Sequence, residues 1–237
     1  MANYVTVHFH NPAPGKEKAL SAFVHDRHSG ALRQLRGYRA AQRFELAEHQ
    51  LMPEIAQPWR YVTMYDFDIA DPSIDVPALS PLLADMREAE LIAADGTERI
   101  YSYGMYAPWK YSSNLKPGPL NHLMLLLANC IPGREAEYHK WYDEQHSYEV
   151  TESPGYVGMR RGQLSPVQVA PVHYCPGDQL ILGGLQTDDL AFTVKDFIDR
   201  AYGRSPSGVV WGPRSTSASV ARTVHMFKSV DGPFTAA

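Results

Sequence analysis

A constant offset of 118 residues aligns the first half of this 237-residue chain with its second half. The aligned pairs are Asn11 and Asn129, Pro14-Gly15 and Pro132-Gly133, Glu17 and Glu135, Phe23 and Trp141, His28 and His146, Gly37-Tyr38 and Gly155-Tyr156, Arg43 and Arg161, Pro53 and Pro171, Pro58 and Pro176, Asp71 and Asp189, Trp109 and Phe227, and Lys110 and Lys228. An internal repeat of this kind predicts one structural unit built twice. We therefore predict a first repeat over residues 1–112, a linker rich in Ser, Pro and Gly over 113–120, and a second repeat over 121–237.

Each repeat has the same predicted order of elements. Apolar and alternating runs predict strands at 4–9, 61–67 and 99–106, at 122–128, 179–185 and 219–227, and through Arg161. Helices are predicted after each Pro-Gly, around Leu79 to Ala93, and from Val194 to Tyr202. The order is β-α-β-β-α-β, the ferredoxin-like unit, and the fold class is α+β with an internal pseudo-dimeric barrel.

The first strand of each repeat has one uniformly apolar face and one mixed face. The apolar set is Val5, Val7, Phe9, Leu123, Leu125 and Leu127, and the mixed set is Tyr4, Thr6, His8, His10, His122, Met124, Leu126 and Ala128. We expect the apolar set to lie under the helices. The mixed set is then expected to line a cavity between two sheets packed face to face.

The composition argues against several classes of function. A net charge of -4 and a pI of about 6.2 disfavour a nucleic-acid binder. The most apolar run, Leu123 to Ile131, is too short to cross a membrane, and no signal peptide is expected. Cys130 and Cys175 have no CxxC spacing, so we expect a reduced, cytoplasmic protein. Motifs typical of nucleotide binding, hydride transfer and serine hydrolysis are absent from the sequence.

The stretch from Pro132 to Arg161, "PGREAEYHKWYDEQH…PGYVGMRR", resembles a signature of EthD-like and related members of the dimeric α+β barrel superfamily. The first repeat keeps Pro14, Gly15, Glu17 and His28 of that signature but lacks its Trp-Tyr pair. The resemblance implies a barrel fold and an activity drawn from cofactor-free monooxygenases, lactone isomerases, polyketide cyclases, aldoxime dehydratases and haem enzymes. Similarity to the plant polyketide cyclase, whose first strand opens with a histidine, implies a role for His122 alone.

Histidines are the leading candidates for catalysis. His122 and His8 come first and His10 next, because all three fall on the predicted cavity face. His28 and His146 are either acids or bases tuned by Asp26 or Glu144, or structural residues at a helix C-terminus. Candidate substrate-binding residues are Tyr4, Tyr61, Tyr65, Tyr103, Tyr106, Trp141, Arg43, Arg161 and His225. For the two arginines, an ion pair at the barrel rim is the alternative.

These residues favour a cofactor-independent lyase or isomerase that moves a proton on an apolar, aromatic small molecule. A cofactor-free monooxygenase of phenols or quinols is the first alternative, and a non-catalytic binding or stress protein is the second. We expect no cofactor and no metal, although His173 or His225 could hold a haem. Assembly into a homodimer stays open.

Overall fold

Nine strands and four helical regions make up the described part of the chain, which in this computed structural model comprises residues 3–113, 115–172, 174–212, 219–231 and 233–235. The strands are β1 (Tyr4–His10), β2 (Tyr38–Leu46), β3 (Tyr61–Phe67), β4 (Arg99–Tyr111), β5 (His122–Cys130), β6 (Tyr156–Leu164), β7 (Gln179–Leu185), β8 (Ser219–Ser229) and β9 (Phe234–Thr235). The helices are α1 (Glu17–Phe23), α2 (Ser29–Leu32), α3 (Pro72–Asp75), α4 (Ser80–Glu88), α5 (Glu135–Trp141), α6 (Ser147–Thr151) and α7 (Leu190–Ala201). Two π turns, Val24–His28 and Tyr142–His146, join α1 to α2 and α5 to α6, and a 3-10 turn, Pro77–Leu79, precedes α4. No described helix has both the length and the apolar character needed to cross a membrane.

The first eight strands close into one antiparallel barrel, which confirms the predicted α+β barrel fold. Within the first half the pairing order is β4-β1-β3-β2, and within the second half it is β8-β5-β7-β6. The halves join where β4 pairs with β6 and where β2 pairs with β8. The two sheets therefore meet edge to edge, and the prediction of two sheets stacked face to face is wrong.

Apolar side chains from both halves fill the barrel interior. They include Val5, Val7, Phe9, Phe44, Val62, Leu123, Leu125, Leu127, Leu180, Leu182 and Phe227, all without exposed surface. The expectation that the apolar face of β1 and β5 lies under the helices is therefore wrong. An eight-stranded barrel is just wide enough to be filled by its own side chains. Its interior excludes water, so the uniformly apolar face of β1 and β5 points inward. The mixed face points outward, toward the helices.

The helices pack on the outside of the barrel in two separate layers. The first layer includes Leu20, Leu32 and Leu83 with Tyr65 and Phe67, and the second includes Tyr138, Val150 and Phe197 with Tyr156 and Ile181. Each half thus has its own core between helices and sheet, in addition to the shared barrel interior.

The bounds of most elements coincide at the 118-residue offset. They do so for β2 and β6, for β3 and β7, for α1 and α5, and for both π turns. The last strands differ: Tyr101 lies opposite Val7 and His225 lies opposite Leu125, so the equivalent residues are 124 apart. The predicted pairing of Lys110 with Lys228, and of Trp109 with Phe227, is therefore wrong, because the second half is six residues longer before its last strand.

Glycines before β2 and β6 confirm the matching geometry of the two halves. Gly37 and Gly155 have φ angles of 76° and 82°, which favour glycine. A Cβ atom on Gly37 would lie 2.4 Å from the backbone oxygen of Asp68, so the close approach also excludes a side chain. The strand that follows has a register shift at the same place in both halves, after Tyr38 and after Tyr156.

Buried imidazoles occupy the layer between helices and sheet in the first half. The rings of His8 and His10 lie 4.5 Å apart, and Nε2 of His28 lies 3.1 Å from the Tyr65 hydroxyl. Burial lowers the pKa of His28 to about 4 and holds the pKa of His10 well below its usual value. His8 Nε2 contacts the Glu98 carboxylate at 2.7 Å. His10 and His28 are therefore neutral at neutral pH.

Truncating adjacent leucines of β5 tests which face lies inside the barrel. Leu125→Ala removes a fully buried side chain from the interior, and we expect it to lower the free energy of unfolding by about 2–5 kcal/mol. Leu126→Ala removes a half-buried side chain on the helix side and is expected to cost less than about 2 kcal/mol. Urea unfolding of both variants measures the difference. A larger loss for Leu126→Ala would contradict the face assignment.

The buried histidines predict that the protein loses stability in acid. The unfolded chain binds protons on histidine below about pH 6.5, whereas folded His28 and His225 bind them only near pH 4. Stability is therefore present above pH 6.5 and falls between these values, by an amount on the order of several kcal/mol. Urea unfolding across this range should show a shallower pH dependence for His28→Gln than for wild type. His49→Gln, at an exposed position, is the control, and an unchanged slope for His28→Gln would contradict the prediction.

Candidate active site

A largely apolar cavity of about 510 Å³ lies between the sheet and the helices of the second half. Its floor is formed by Met124, Leu126 and Ala128 of β5 with Ile181 of β7 and Val224 of β8, and its walls by Trp141, Tyr142, His146, Val150, Phe197 and Ile198. Leu51, Met52 and Glu54, from the loop between β2 and β3, complete the lining from the first half. The cavity is therefore on the helix side of the barrel, whereas the sequence predicted it between the sheets.

Smaller and apolar side chains leave room for the cavity in the second half. Leu126 and Ala128 occupy the positions that His8 and His10 occupy in the first half, 118 residues earlier. Both histidines are fully buried and contact each other, so they fill the corresponding space. A concave, apolar site with few polar groups is typical of small-molecule binding.

The second π turn places two polar side chains on the cavity wall. Tyr142 begins the turn and His146 ends it, and both line the cavity. The helical region continues through Thr151, so His146 does not lie at a helix C-terminus as one alternative predicted. Single π turns within α-helices are frequent at functional sites, because they change the direction in which side chains point.

His146 is held in place by aromatic rings and by a carboxylate. Trp141 stacks on the imidazole with ring centroids 4.1 Å apart, and the edge of Trp211 lies 5.3 Å away. The Nδ1 atom of His146 lies 3.1 Å from Oε2 of Glu149. The carboxylate fixes the orientation of the ring and stabilises the imidazolium that forms when the ring takes up a proton.

Glu149 is kept ionised by its other hydrogen bonds. Its Oε1 accepts from the side chain of Gln145 at 2.9 Å and from the backbone N–H of Gly212 at 2.7 Å. Although burial raises the pKa of Glu149, the hydrogen bonds from His146, Gln145 and Gly212 together hold it below the usual value. A charged carboxylate beside a histidine in an apolar wall suits the histidine to general acid–base chemistry.

Tyr142 lies between the cavity and a buried cation. The guanidinium carbon of Arg161 lies 4.9 Å from the centre of the Tyr142 ring, and Arg161 forms an ion pair with Asp143. Arg161 itself does not line the cavity. Tyr142 thus lines the cavity beside a buried cation and next to His146.

Charged and polar groups border the cavity where it meets solvent. Glu54, Arg222 and Tyr202 are all exposed, and all three belong to the lining. Arg222 lies opposite Ala128 on the neighbouring strand, so its charge is close to the cavity floor. A bound molecule would thus have an apolar body inside and room for a polar substituent at the rim.

Of the candidate residues predicted from the sequence, the cavity contains His146 and Trp141. The residues on the helix side of the first half are His8, His10, His28, Tyr4, Tyr61, Tyr65 and Arg43. His122 is half-buried at the start of β5, with Nδ1 3.1 Å from Asn121 Oδ1, and it does not line the cavity. His122 and His8 therefore do not face each other across a cavity, because the predicted assignment of faces was inverted.

The other two tyrosine candidates and the two arginines lie on β2, β4 and β6 and do not line the cavity. Tyr103 points into the barrel interior, where its hydroxyl donates to the backbone oxygen of Gly177. Tyr106 is partly exposed and donates to Gln179. Arg43 pairs with Asp231 and Arg161 with Asp143, in agreement with the ion-pair alternative for the two arginines.

Sequence reasoning missed the carboxylate partner of His146. Glu144 was the predicted partner, but it lies near Lys140, whereas Glu149 contacts the imidazole from the next helical turn. The i, i+3 spacing of His146 and Glu149 was a usable signal, since residues at this spacing are neighbours on a helix. The predicted partner of His28, Asp26, is likewise replaced by Tyr65.

The described residues offer little support for a metal or haem site at the predicted positions. Among them, no group of three or more His, Cys, Asp or Glu side chains is placed to bind a metal ion. His225 lies in the filled barrel interior beside Phe9 and Trp59, and its Nδ1 contacts Gln57. It therefore does not fit the role of a haem ligand. His173 lies outside the described residues.

Comparisons with solved structures show several proteins of the same fold. An anthrone oxidase-like protein matches with a TM-score of 0.59 at 10% identity, over 98% of this chain and 92% of that chain. A provisionally assigned monooxygenase from Fusobacterium nucleatum gives 0.57 at 9% identity, over 97% and 93%. A DyP-type peroxidase from Mycobacterium smegmatis gives 0.59 at 10% identity, over 97% and 93%.

No family model matches the sequence, and no curated protein matches it. The low identities mean that the structural matches concern the backbone architecture and not the chemistry of the site. The chain thus has the α+β barrel fold of monooxygenase-like and peroxidase structures.

Proposed function

We propose that this protein is an enzyme that removes a proton from an apolar, aromatic small molecule bound in the cavity of the second half. The observation that carries the proposal is the His146–Glu149 pair in the wall of an otherwise largely apolar cavity. His146 takes up the proton at Nε2 while Glu149 stabilises the imidazolium through Nδ1. Tyr142 donates a hydrogen bond to the oxygen of the resulting phenolate or enolate.

The apolar cavity supports this chemistry by excluding water. Charge interactions are stronger in a medium of low polarity, so the carboxylate of Glu149 stabilises the imidazolium more than it would in solvent. The proton removed by His146 can return to another atom of the substrate. That outcome is an isomerisation or cyclisation. In a lyase reaction the proton goes instead to a leaving hydroxyl, which departs as water, or to the carbon from which CO2 has left. None of these reactions requires a cofactor.

A cofactor-free monooxygenase is the second candidate, and the fold likeness to the anthrone oxidase-like protein favours it. The proton transfer would be the same, but the substrate anion would then give electrons to molecular oxygen. The two candidates share the site and differ only in the fate of the anion. A binding protein without turnover is the third alternative, because cavity shape alone does not require chemistry.

We also infer that the two halves are tandem copies of a ferredoxin-like unit, with boundaries at 1–112, 113–120 and 121–237. The matching element bounds, the two π turns and the equal strand orders support this. The resemblance of the stretch from Pro132 to Arg161 to EthD-like members stays a prediction. In this view the second copy has an open cavity, and buried histidines fill the equivalent space in the first copy.

Removing the proposed base should reduce turnover strongly. We expect His146→Ala to lower kcat/KM by about 100- to 10,000-fold on any substrate found among anthrones, hydroquinones and enolisable aromatic ketones. Glu149→Gln should lower it by about 10- to 100-fold, because the imidazole loses its orienting charge. The pH dependence of kcat/KM, followed spectroscopically, shows whether the lost group was a base.

His28→Ala is the matched control, because His28 ends the first π turn but lies far from the cavity, against Tyr65. It should keep wild-type turnover at neutral pH. Equal losses for His28→Ala and His146→Ala would refute the assignment of His146 as the base.

Turnover without oxygen separates the two enzymatic candidates. An isomerase or lyase should work at the same rate in anaerobic buffer, whereas a monooxygenase should stop and, in air, consume oxygen in proportion to product. Oxygen-electrode measurements on the same substrate panel give the answer. Active purified protein that contains a bound haem or flavin would contradict both cofactor-free candidates, and tight binding without any turnover would favour the binding protein.

A further inference from the structure

The loop between β2 and β3, residues 47–60, crosses from the first half onto the second; we name it the first crossing loop. The backbone N–H of Ala47 donates to the Met226 oxygen on β8 at 2.9 Å. Gln50 then forms two hydrogen bonds with the backbone of Met226. Its side-chain amide donates to the Met226 oxygen at 2.9 Å and accepts from the Met226 N–H at 2.8 Å. Farther along, the Gln57 amide contacts the His225 ring. The loop is thus fixed to the last strand of the other half at two points.

The loop between β6 and β7, residues 165–178, repeats this arrangement in the opposite direction; we name it the second crossing loop. Gln168, 118 residues after Gln50, accepts from the Ser102 N–H at 2.8 Å and donates to the Ser102 oxygen at 2.9 Å. Val167 and Val169 beside it pack on the core of the first half. Each half therefore covers the helix side of the other.

The two crossing loops cover very different spaces. The second lies over the packed histidine layer of the first half. The first lies over the open cavity, where Leu51, Met52 and Glu54 form part of the wall directly after Gln50. Leu51 and Met52 are half-buried and pack against the core of the second half. Equivalent glutamines thus position both loops. In the second half the loop forms a cavity wall, and in the first half it covers a filled core.

The first crossing loop also borders a second space. A second, more open cleft of about 430 Å³ lies between the loop and α7, bordered by Glu48, His49 and Pro53 on the loop and by Lys195 and Asp199 on the helix. The loop thus borders both the cavity and this cleft. Within this segment Gln50 makes two hydrogen bonds to β8, and it also donates to the Ala47 oxygen.

We propose that the first crossing loop selects and retains the molecule bound in the cavity, with Leu51 and Met52 as the selecting residues and Gln50 as the residue that positions them. The inference rests on the proposed function, since it concerns the same cavity. Met52 has a flexible thioether side chain that adapts to ligands of different shape. Substrate size is therefore set by a loop of the half that lacks the proposed catalytic pair.

Two glutamine variants with matched environments test the role of Gln50. Gln50→Leu and Gln168→Leu each remove the two hydrogen bonds that hold one crossing loop to the last strand of the other half. Both glutamines are half-buried. The probe is anilinonaphthalene sulfonate, an aromatic dye that fluoresces in apolar sites. Losing the hydrogen bonds that hold the cavity wall should raise the dissociation rate of the dye about tenfold in Gln50→Leu. In Gln168→Leu the rate should match wild type, although both variants are expected to unfold at similarly lowered urea concentrations.

Met52 variants test selection by size. Met52→Ala should shift the ratio of kcat/KM values toward three-ring over two-ring substrates, and Met52→Trp should shift it the other way. His146 is untouched in both variants, so the pH dependence of kcat/KM should stay that of wild type. Unchanged ratios in both variants would overturn the selecting role of Met52.

The outcomes distinguish this inference from the proposed function. If the dye leaves Gln50→Leu and Gln168→Leu at equal rates, the positioning role is overturned while the cavity proposal stands. Leu126→Trp, which places a large ring on the cavity floor, should abolish dye binding in folded protein. Dye binding that survives Leu126→Trp, or wild-type protein that binds no dye, would overturn both the cavity as a binding site and the inference that rests on it.

Discussion

Closure of the eight-stranded barrel decides where the other parts of the molecule can lie. Because β2 pairs with β8 and β4 with β6, each half ends its sheet against a strand of the other. The interior of so small a barrel is filled by side chains, and most of them are apolar residues from both halves. A ligand cavity must then form outside, between the sheet and the helices. The crossing loops follow from the same closure, since a chain that leaves β2 beside β8 emerges over the second half.

The space between the sheet and the helices is filled in the first half and open in the second half. In the first, His8, His10 and Tyr65 are packed in place of a cavity, and burial keeps His10 and Tyr65 uncharged at neutral pH. In the second, Leu126 and Ala128 leave space, and the π turn places the polar side chains of Tyr142 and His146 on the helix wall. An apolar floor with a few polar groups on the wall and rim is typical of a small-molecule site.

Much of the fold was accessible from the sequence, and the site was less so. Spacing and periodicity predicted β3 and β7 at their observed bounds, and the 118-residue offset holds through both π turns. The offset failed at the last strands, because an insertion before β8 lies in a segment without a strong pattern of its own. The face assignment failed for a physical reason: alternation shows that β1 and β5 have two faces, but only closure of the barrel decides which face is driest. The predicted partner of His146, Glu144, is close to it in sequence but points elsewhere. The true partner, Glu149, lies three residues later, on the same side of the helix.

The π turn at Tyr142–His146 has a consequence for how such a site can arise and be lost. An α-helix advances by roughly 100° for each residue, so the additional residue of a π turn rotates all later positions by more than a quarter of a turn. Deleting one residue of the turn before His146 would restore a regular helix and rotate His146 and Glu149 together relative to Trp141 and the cavity. The barrel, its packed interior and the cavity floor would be untouched. The direction in which His146 and Glu149 leave the helix wall therefore depends on a single additional residue, and both halves have kept that residue.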